Sequence, residues 1–539
     1  MTANDNRVYL YDTTLRDGQQ TRGVDFSVAD KAAFARALDE IGIDYVEGGW
    51  PGANPTDDRF FADPPNLSHA KLAAFGMTRR PGRSVENDPG LAAVLGAPVD
   101  AATLVGKTWD FHVDVALEIP RDENVQMISD SITHTKGRGL EPIFDCEHFF
   151  DGYKANPEYA LSCAIAAFEA GARWVVLCDT NGGALPHEIE AIVGAVTAHI
   201  PGDHIGIHCH NDTENAVAGS LAAVRAGARQ VQGTINGLGE RCGNANLVSI
   251  LPSLMLKMGY ETSVDKAGLK RLTKLSRMLD ERLNRAPDPH RAYVGDAAFA
   301  HKGGLHVSAV QKDPRSYEHI DPASVGNQRH ILVSDQAGRS NILARFGEIG
   351  LDIDPKNPKI QNLVEDVKEK EFAGYSFDSA EASFELLARR FLDGVPDYFE
   401  IERFRVMDER RFNARGSLVI ESEATATITI ANESLHEVAV GNGPVNSLDL
   451  AIRKALTRAY PTLDQVRLLD YKVRILPPPD NSDGTDAVTR VMIESGDDTG
   501  AVWRTVGVSA NIIDASIRAL SDSMTYKLIR DGIAPAGKE

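Results

Sequence analysis

From residue 8 to about 236, short apolar runs alternate with amphipathic stretches of helical period. The apolar runs at 8–11, 44–47, 71–75, 102–105, 142–145, 174–178, 205–209 and 231–235 are short enough to be strands. Several of the helical stretches close on glycine just before the next strand, as in Glu40-Ile41-Gly42, Glu169-Ala170-Gly171 and Arg225-Ala226-Gly227. A glycine there is the expected helix C-terminal signal, because it adopts the left-handed conformation without strain. Eight β–α units over roughly 250 residues predict an α/β fold, a (β/α)8 TIM barrel. A doubly wound open sheet is the rival. It is disfavoured because no Gly-rich phosphate loop follows the first strand.

The pattern changes beyond the barrel. Residues 266–400 are helical and charged, and they contain a polar insert, His301-Lys302-Gly303-Gly304-Leu305-His306. This stretch is expected to form linker subdomains. From 401 to 539 the sequence alternates as strands do, most clearly in Ala424-Thr425-Ala426-Thr427-Ile428-Thr429-Ile430, and a helix is predicted over 445–460. A shift of 65 positions pairs Asn446 with Asn511, Asp449 with Asp514, Ile452 with Ile517 and Arg453 with Arg518. The repeat predicts a C-terminal α+β domain built from two ββα-type copies, the second interrupted by Pro477-Pro478-Pro479 and residues 480–483. No catalytic set lies within it, so regulation or dimerisation is the expected role. The expected domains are therefore 1–265, 266–400 and 401–539.

Polar residues gather at one end of the barrel strands. Asp12, Arg16 and Asp17 follow the first strand and Glu47 ends the second; Thr78 follows the third and Glu147 the fifth. Asp179 and Thr180 follow the sixth, His208 and His210 end the seventh, and Asn236 ends the eighth. In a barrel all of these converge on the C-terminal face, where such folds place their chemistry. His208 and His210 lie one residue apart in Gly206-Ile207-His208-Cys209-His210-Asn211-Asp212, so both imidazoles share a face of the strand. A lone histidine at a strand end is usually an ordinary polar residue. Two on one face, with Leu15-Arg16-Asp17-Gly18 at another strand end, point to a divalent cation held by Asp17, His208 and His210. Such an ion, with Arg16 beside it, suits chelation and polarisation of a 2-oxo acid.

Composition narrows the partners. A net charge of −20 argues against nucleic acid and anionic membrane, and requires local positive charge wherever an anion binds. No stretch is apolar enough to span a bilayer, and residues 1–6 are polar, so a cytoplasmic protein is expected. The five cysteines form no CxxC pair, which fits reduced thiols; the four inside or beside the motifs are expected to be small buried residues near a site.

Taken together, these residues resemble the 2-isopropylmalate synthase / homocitrate synthase family, the Claisen-condensing branch of the metal-dependent DRE-TIM barrels. The segment Leu15-Arg16-Asp17-Gly18-x-Gln20, with Lys31 beyond it, is similar to the family's first signature. His208-x-His210-Asn211-Asp212 resembles the second, and Gly239-Glu240-Arg241-x-Gly243-Asn244 a third shared element. The C-terminal repeat, with residues 443–449, looks like the family's allosteric dimer domain. Three segments, 47–55, 147–154 and 178–183, resemble the members that act on pyruvate. Thr213-Glu214-Asn215 follows the histidine motif where the isopropylmalate pattern usually has a glycine.

The resemblance implies a metal shell of Asp17, His208, His210 and Asn244, holding Mg²⁺ or Mn²⁺, with Zn²⁺ also compatible. It implies Arg16 and Glu147 beside the reacting carbonyl, and Thr180 and Glu47 with Arg16 as substrate-binding groups. His306 matches the catalytic histidine, with Tyr317 as its partner. The implied reaction joins acetyl-CoA to pyruvate, an entry to isoleucine synthesis, in a homodimer inhibited by an amino-acid effector, isoleucine. The alternatives are the same chemistry on 3-methyl-2-oxobutanoate and a metal-dependent lyase on the same barrel.

Overall fold

The computed structural model describes residues 6–334, 338–350, 353–392, 394–412, 414–476 and 487–537. Eight parallel strands close into a barrel in chain order: β1 (Tyr9–Asp12), β2 (Tyr45–Gly49), β3 (Lys71–Met77), β4 (Ala101–Lys107), β5 (Glu141–Glu147), β6 (Trp174–Asp179), β7 (Ile205–Cys209) and β8 (Gln230–Gly233). Closure comes from β1 pairing with β8, in the register Tyr9↔Gln230 to Asp12↔Gly233. The eighth strand ends sooner than its apolar run, so Ile235 and Asn236 fall in the turn beyond it.

Strand alternation divides the side chains into two layers. Tyr11, Tyr45, Ala73, Ala101, Ile143, Trp174, Val176 and Cys178 fill the barrel interior. Their neighbours, among them Leu10, Val46, Leu72, Leu104, Phe144 and Ile207, pack outward under the helices. The helix Val28–Ile41 shows how the sequence sets a boundary. Ser27 and Asp30 form a reciprocal capping box at its start, and Gly42 at φ 98° ends it. A Cβ on Gly42 would also lie 2.9 Å from the Ser263 carbonyl.

The chain divides into two compact units. The first holds the barrel up to Phe299 together with His319–Arg329; the second holds Ala300–Glu318 and everything from His330 onward. In the second, β9 (Ala300–His301) and β10 (His330–Ile331) form a small parallel pair beside the helix Gly304–Lys312. Helices Arg339–Glu348, Lys359–Phe372 and Glu381–Leu392 pack around Ile342, Phe346, Leu363, Val367 and Phe384.

The C-terminal repeat contains one more strand per copy than its sequence indicates. β11 (Glu400–Phe412), β12 (Leu418–Ile430) and β13 (Glu433–Gly441) form an antiparallel sheet followed by the helix Pro444–Ala459. β14 (Arg467–Leu476), β15 (Val488–Gly496) and β16 (Val502–Ser509) are followed by Ile512–Arg530. The 65-position register is displaced by about one helical turn. It sets Asn446, inside its helix, against Asn511, which caps the other. What it aligns is a pair of i,i+4 ion pairs, Asp449–Arg453 and Asp514–Arg518. The proline-rich interruption lies outside the described residues. Among those residues, no helix is long and apolar enough to cross a membrane.

Candidate active site

The loop after β1 is a tight turn in which the amides of Arg16, Asp17 and Gly18 all donate to the Thr13 carbonyl. This turn aims Asp17 at the end of β7. Asp17 Oδ2 lies 3.4 Å from His208 Nε2 and 3.9 Å from His210 Nε2. One potential ligand atom from each of the three residues falls within 4.8 Å of the others, and all three residues are buried. Asn244 arrives from the loop after β8, bridged to His210. Its close approach depends on Gly239 and Gly243, at φ 157° and 92°, where a Cβ would collide with Asn244 and with the Gly237 carbonyl.

The polar atoms left over show what the cluster can hold. Asp17 Oδ1, Asn244 Oδ1 and His210 Nδ1 are buried without a hydrogen-bond partner among the described residues. Buried acceptors are normally satisfied, so two orphaned oxygens beside two imidazoles mark a place for a cation. The set of two nitrogens and two oxygens fits a divalent ion. The electrostatics agree. Burial, together with His208 and Arg241 and against the pull of Asp17, pushes His210 down to about 4, which keeps its ring neutral and able to ligate. Burial also opposes the charge on Asp17, but Arg16 and His208 outweigh it and hold that carboxyl well below the usual range.

Arg16 is held on three sides. Its Nε donates to Glu47 Oε2 at 2.6 Å, Nη1 lies 3.6 Å from Asp17 Oδ2, and the guanidinium sits 3.8 Å over the Phe75 ring. Glu47 is fully buried, and its other oxygen accepts from Tyr11 Oη at 2.8 Å. Behind this pair lies Lys31, completely buried, whose ammonium donates to the carbonyls of Leu15 (2.8 Å) and Gly48 (3.0 Å) and to Asp57. The same ammonium thus fixes the backbone just before Arg16 and just after Glu47.

On the opposite side, Glu147 at the end of β5 is ion-paired with Lys107, its register partner on β4. They border a cavity of about 210 Å³ whose lining includes Trp50, Met77, Leu91 and Met127. Thr180 Oγ1 accepts from the His148 amide at 2.8 Å, so its hydroxyl hydrogen is left to donate elsewhere. Arg241 forks onto Asp212 at 2.8 and 2.9 Å and donates to the Thr180 carbonyl at 2.7 Å, which ties together the loops after β6, β7 and β8.

Three strand-end residues that the sequence reading placed at the mouth serve the loops instead. Asp12 accepts from the Thr14 amide and hydroxyl, Asp179 from the Gly183 and Ala184 amides, and Asn236 donates to the Ser276 carbonyl and Asp280. His306 and Tyr317 belong to the second unit, where both are exposed and their rings stack at 4.2 Å. Cys146, Cys163, Cys178 and Cys209 are buried; burial pushes the Cys163 thiol up to about 12. Cys242 departs from the expectation and is exposed.

Sequence reasoning missed Lys107, Lys31's triple contact, and two residues of the barrel interior, Gln232 and Asp145. Gln232 is the Cα register partner of His208 on the adjacent strand, and Asp145 comes from β5. Nothing in a linear motif marks either, because both act across strands distant in the chain.

Comparison with known proteins places this geometry. The HMGL-like family matches residues 7–278, the homocitrate synthase post-HMGL domain-like family 293–373, and the LeuA allosteric (dimerisation) domain 378–528. The chain is 52% identical to an (R)-citramalate synthase of Geobacter sulfurreducens, covering 97% of both chains. It is 51% identical to an (R)-citramalate synthase of Aquifex aeolicus, over 97% of this chain and 98% of the relative. A probable 2-isopropylmalate synthase of Methanopyrus kandleri is more distant, 32% identical over 95% of this chain and 97% of its own. With an HMGL-like barrel, a LeuA domain and half its residues shared over nearly its whole length, the chain belongs to the (R)-citramalate synthase family.

Proposed function

We propose that this protein condenses acetyl-CoA with pyruvate and water to give (R)-citramalate and CoA. The observation that carries the proposal is the cluster of ligand atoms from Asp17, His208 and His210, with the unpartnered Asn244 on the strand bridge to His210, beside the anchored guanidinium of Arg16, in a chain half identical to enzymes named for that product. A divalent ion held there, Mg²⁺ or Mn²⁺ ahead of Zn²⁺, would polarise the keto group and offset the charge of the 2-oxo acid.

The chain's own residues supply the rest. Arg16 has guanidinium N–H groups beyond the Nε that Glu47 takes, and these are assigned to the keto oxygen as negative charge develops on it. Glu47, expected from the sequence to bind substrate, is assigned instead to hold Arg16, since it is buried and both its oxygens are engaged. The free hydroxyl hydrogen of Thr180 is assigned to the substrate carboxylate. The role that the family resemblance implies for Glu147, beside the reacting carbonyl, is kept in this reading, with Lys107 as its ion-pair partner. The family resemblance, rather than any contact of His306, suggests His306 as the base that takes a proton from the acetyl methyl group. The resulting enolate carbon bonds to the keto carbon of pyruvate, and water then cleaves the thioester and releases CoA.

The LeuA domain supports a homodimer that binds an effector, for which we propose isoleucine, the product of the biosynthetic route that citramalate would feed. Buried thiols without disulfide partners suit a cytoplasmic setting. The substrate assignment is tested by following CoA release over a panel of 2-oxo acids. Pyruvate is expected to give the highest kcat/KM. Preference for 3-methyl-2-oxobutanoate would transfer the assignment to 2-isopropylmalate synthesis.

A further inference from the structure

Within the barrel interior, three buried side chains from three strands form a chain with a fixed direction. His208 Nδ1 lies 2.9 Å from Gln232 Oε1, and Gln232 Nε2 lies 3.0 Å from Asp145 Oδ1. Gln232 is completely enclosed, and Asp145 and His208 are nearly so. No solvent can therefore substitute for any of these bonds.

The direction follows from what each group can do. A carboxylate only accepts, so the end of the Gln232 amide that faces Asp145 must be its NH2. That turns the carbonyl oxygen toward His208. A carbonyl oxygen also only accepts, so His208 Nδ1 must carry hydrogen, and the neutral ring then has its lone pair on Nε2. Nε2 is the atom that faces Asp17. Were the amide rotated by half a turn, its NH2 would meet Nδ1. The proton would then move to Nε2, and the ring could not ligate.

Burial pushes the Asp145 carboxyl up to about 7, against the pull of His208 and Arg16. A divalent cation bound in the site would act with those two positive groups and favour the carboxylate.

We propose that Gln232, oriented by Asp145, is a positioning residue that selects the ligating tautomer of His208 and so sets how tightly the site holds its divalent cation. The proposal rests on reading Asp17, His208, His210 and Asn244 as ligands. Hydrogen bonds to the remote nitrogen of a metal-bound imidazole commonly carry about 10- to 100-fold in affinity.

The test titrates Mn²⁺ into chelator-stripped, full-length protein by calorimetry at pH 8, above the range in which Asp145 takes up a proton. Gln232→Met keeps the volume but removes the acceptor, and should weaken Mn²⁺ binding by about 10- to 100-fold while the far-UV circular dichroism is unchanged. Gln232→Glu restores an acceptor for Nδ1–H, its other oxygen sharing a proton with Asp145 even at pH 8, and should recover most of that loss. Asp145→Asn frees the amide to turn either way and should fall between the two. Equal Mn²⁺ affinity in Gln232→Met and the unaltered protein would overturn the proposal. If Gln232→Met does not fold, an Asp145→Asn variant with undiminished affinity overturns it equally. Failure of the unaltered protein to bind Mn²⁺ would reject the ligand reading itself, which separates that failure from failure of the tautomer argument.

Discussion

Asp12 and Asp17 lie on one loop yet treat protons in opposite ways. Asp17 is kept ionised by Arg16 and His208. Among the described residues no cation offsets the burial of Asp12, which pushes it up to about 7, only partly offset by its hydrogen bonds from Thr14. An unfolded aspartate loses its proton near 3.8. Between 3.8 and about 7 the folded chain therefore holds the extra proton, and stability falls as pH rises through that window. The slope from one such group approaches about 1.4 kcal/mol per pH unit. Asp12→Asn should remove this component. Its melting temperature, measured against that of the parent by calorimetry, should gain on the parent steadily from pH 4.5 to 7. Parallel curves would mean that Asp12 is not protonated in the native state.

Between elements, the Lys31 ammonium links the loop after β1, the end of β2 and Asp57 of the helix Pro55–Ala62. Asp57 also accepts from the Trp50 amide at 2.9 Å and from Asn54 Nδ2 at 3.0 Å, so it is fixed whether or not Lys31 is present. Lys31→Met leaves that carboxylate buried without its cation, and should cost about 3–5 kcal/mol in urea unfolding. Adding Asp57→Asn should return part of this loss, because the uncompensated charge is then gone. A loss below about 1 kcal/mol for Lys31→Met would show the pair to be dispensable.

How much of this was legible follows from range. The eight strands, the helix stops at glycine and the paired imidazoles were readable because each is set by residues a few positions apart. Lys31 stood out only as a letter in a signature; its three acceptors come from positions 15, 48 and 57. Gln232 and Asp145 were invisible for the same reason, being joined through the barrel interior. The repeat was found but misregistered, because the Asp–Arg pairs that align lie inside the helices, whereas the helices start at different distances before them, at caps Gly443 and Asn511.

At the scale of the whole molecule, the tip of the β11–β12 hairpin exposes Phe412, Leu418 and Ile420, and β14 exposes Val473 and Ile475. Ile420 is 64% exposed and Ile475 70%, one on each of the two sheets of a domain whose family model is named for dimerisation. If the proposed homodimer uses this surface, Ile420→Asp combined with Ile475→Asp should lower the mass to that of a monomer in light scattering coupled to size exclusion. An unchanged mass would assign self-association to another surface.

The closed barrel has a further consequence, for synthesis of the chain. Asp17 emerges from the ribosome early, but His208 and His210 come only with β7, Asn244 follows β8, and the β1–β8 seam cannot form before β8 is made. A nascent chain cut short of Asn244 lacks part of the proposed ligand set, so on that reading tight binding of the cation would require the finished barrel.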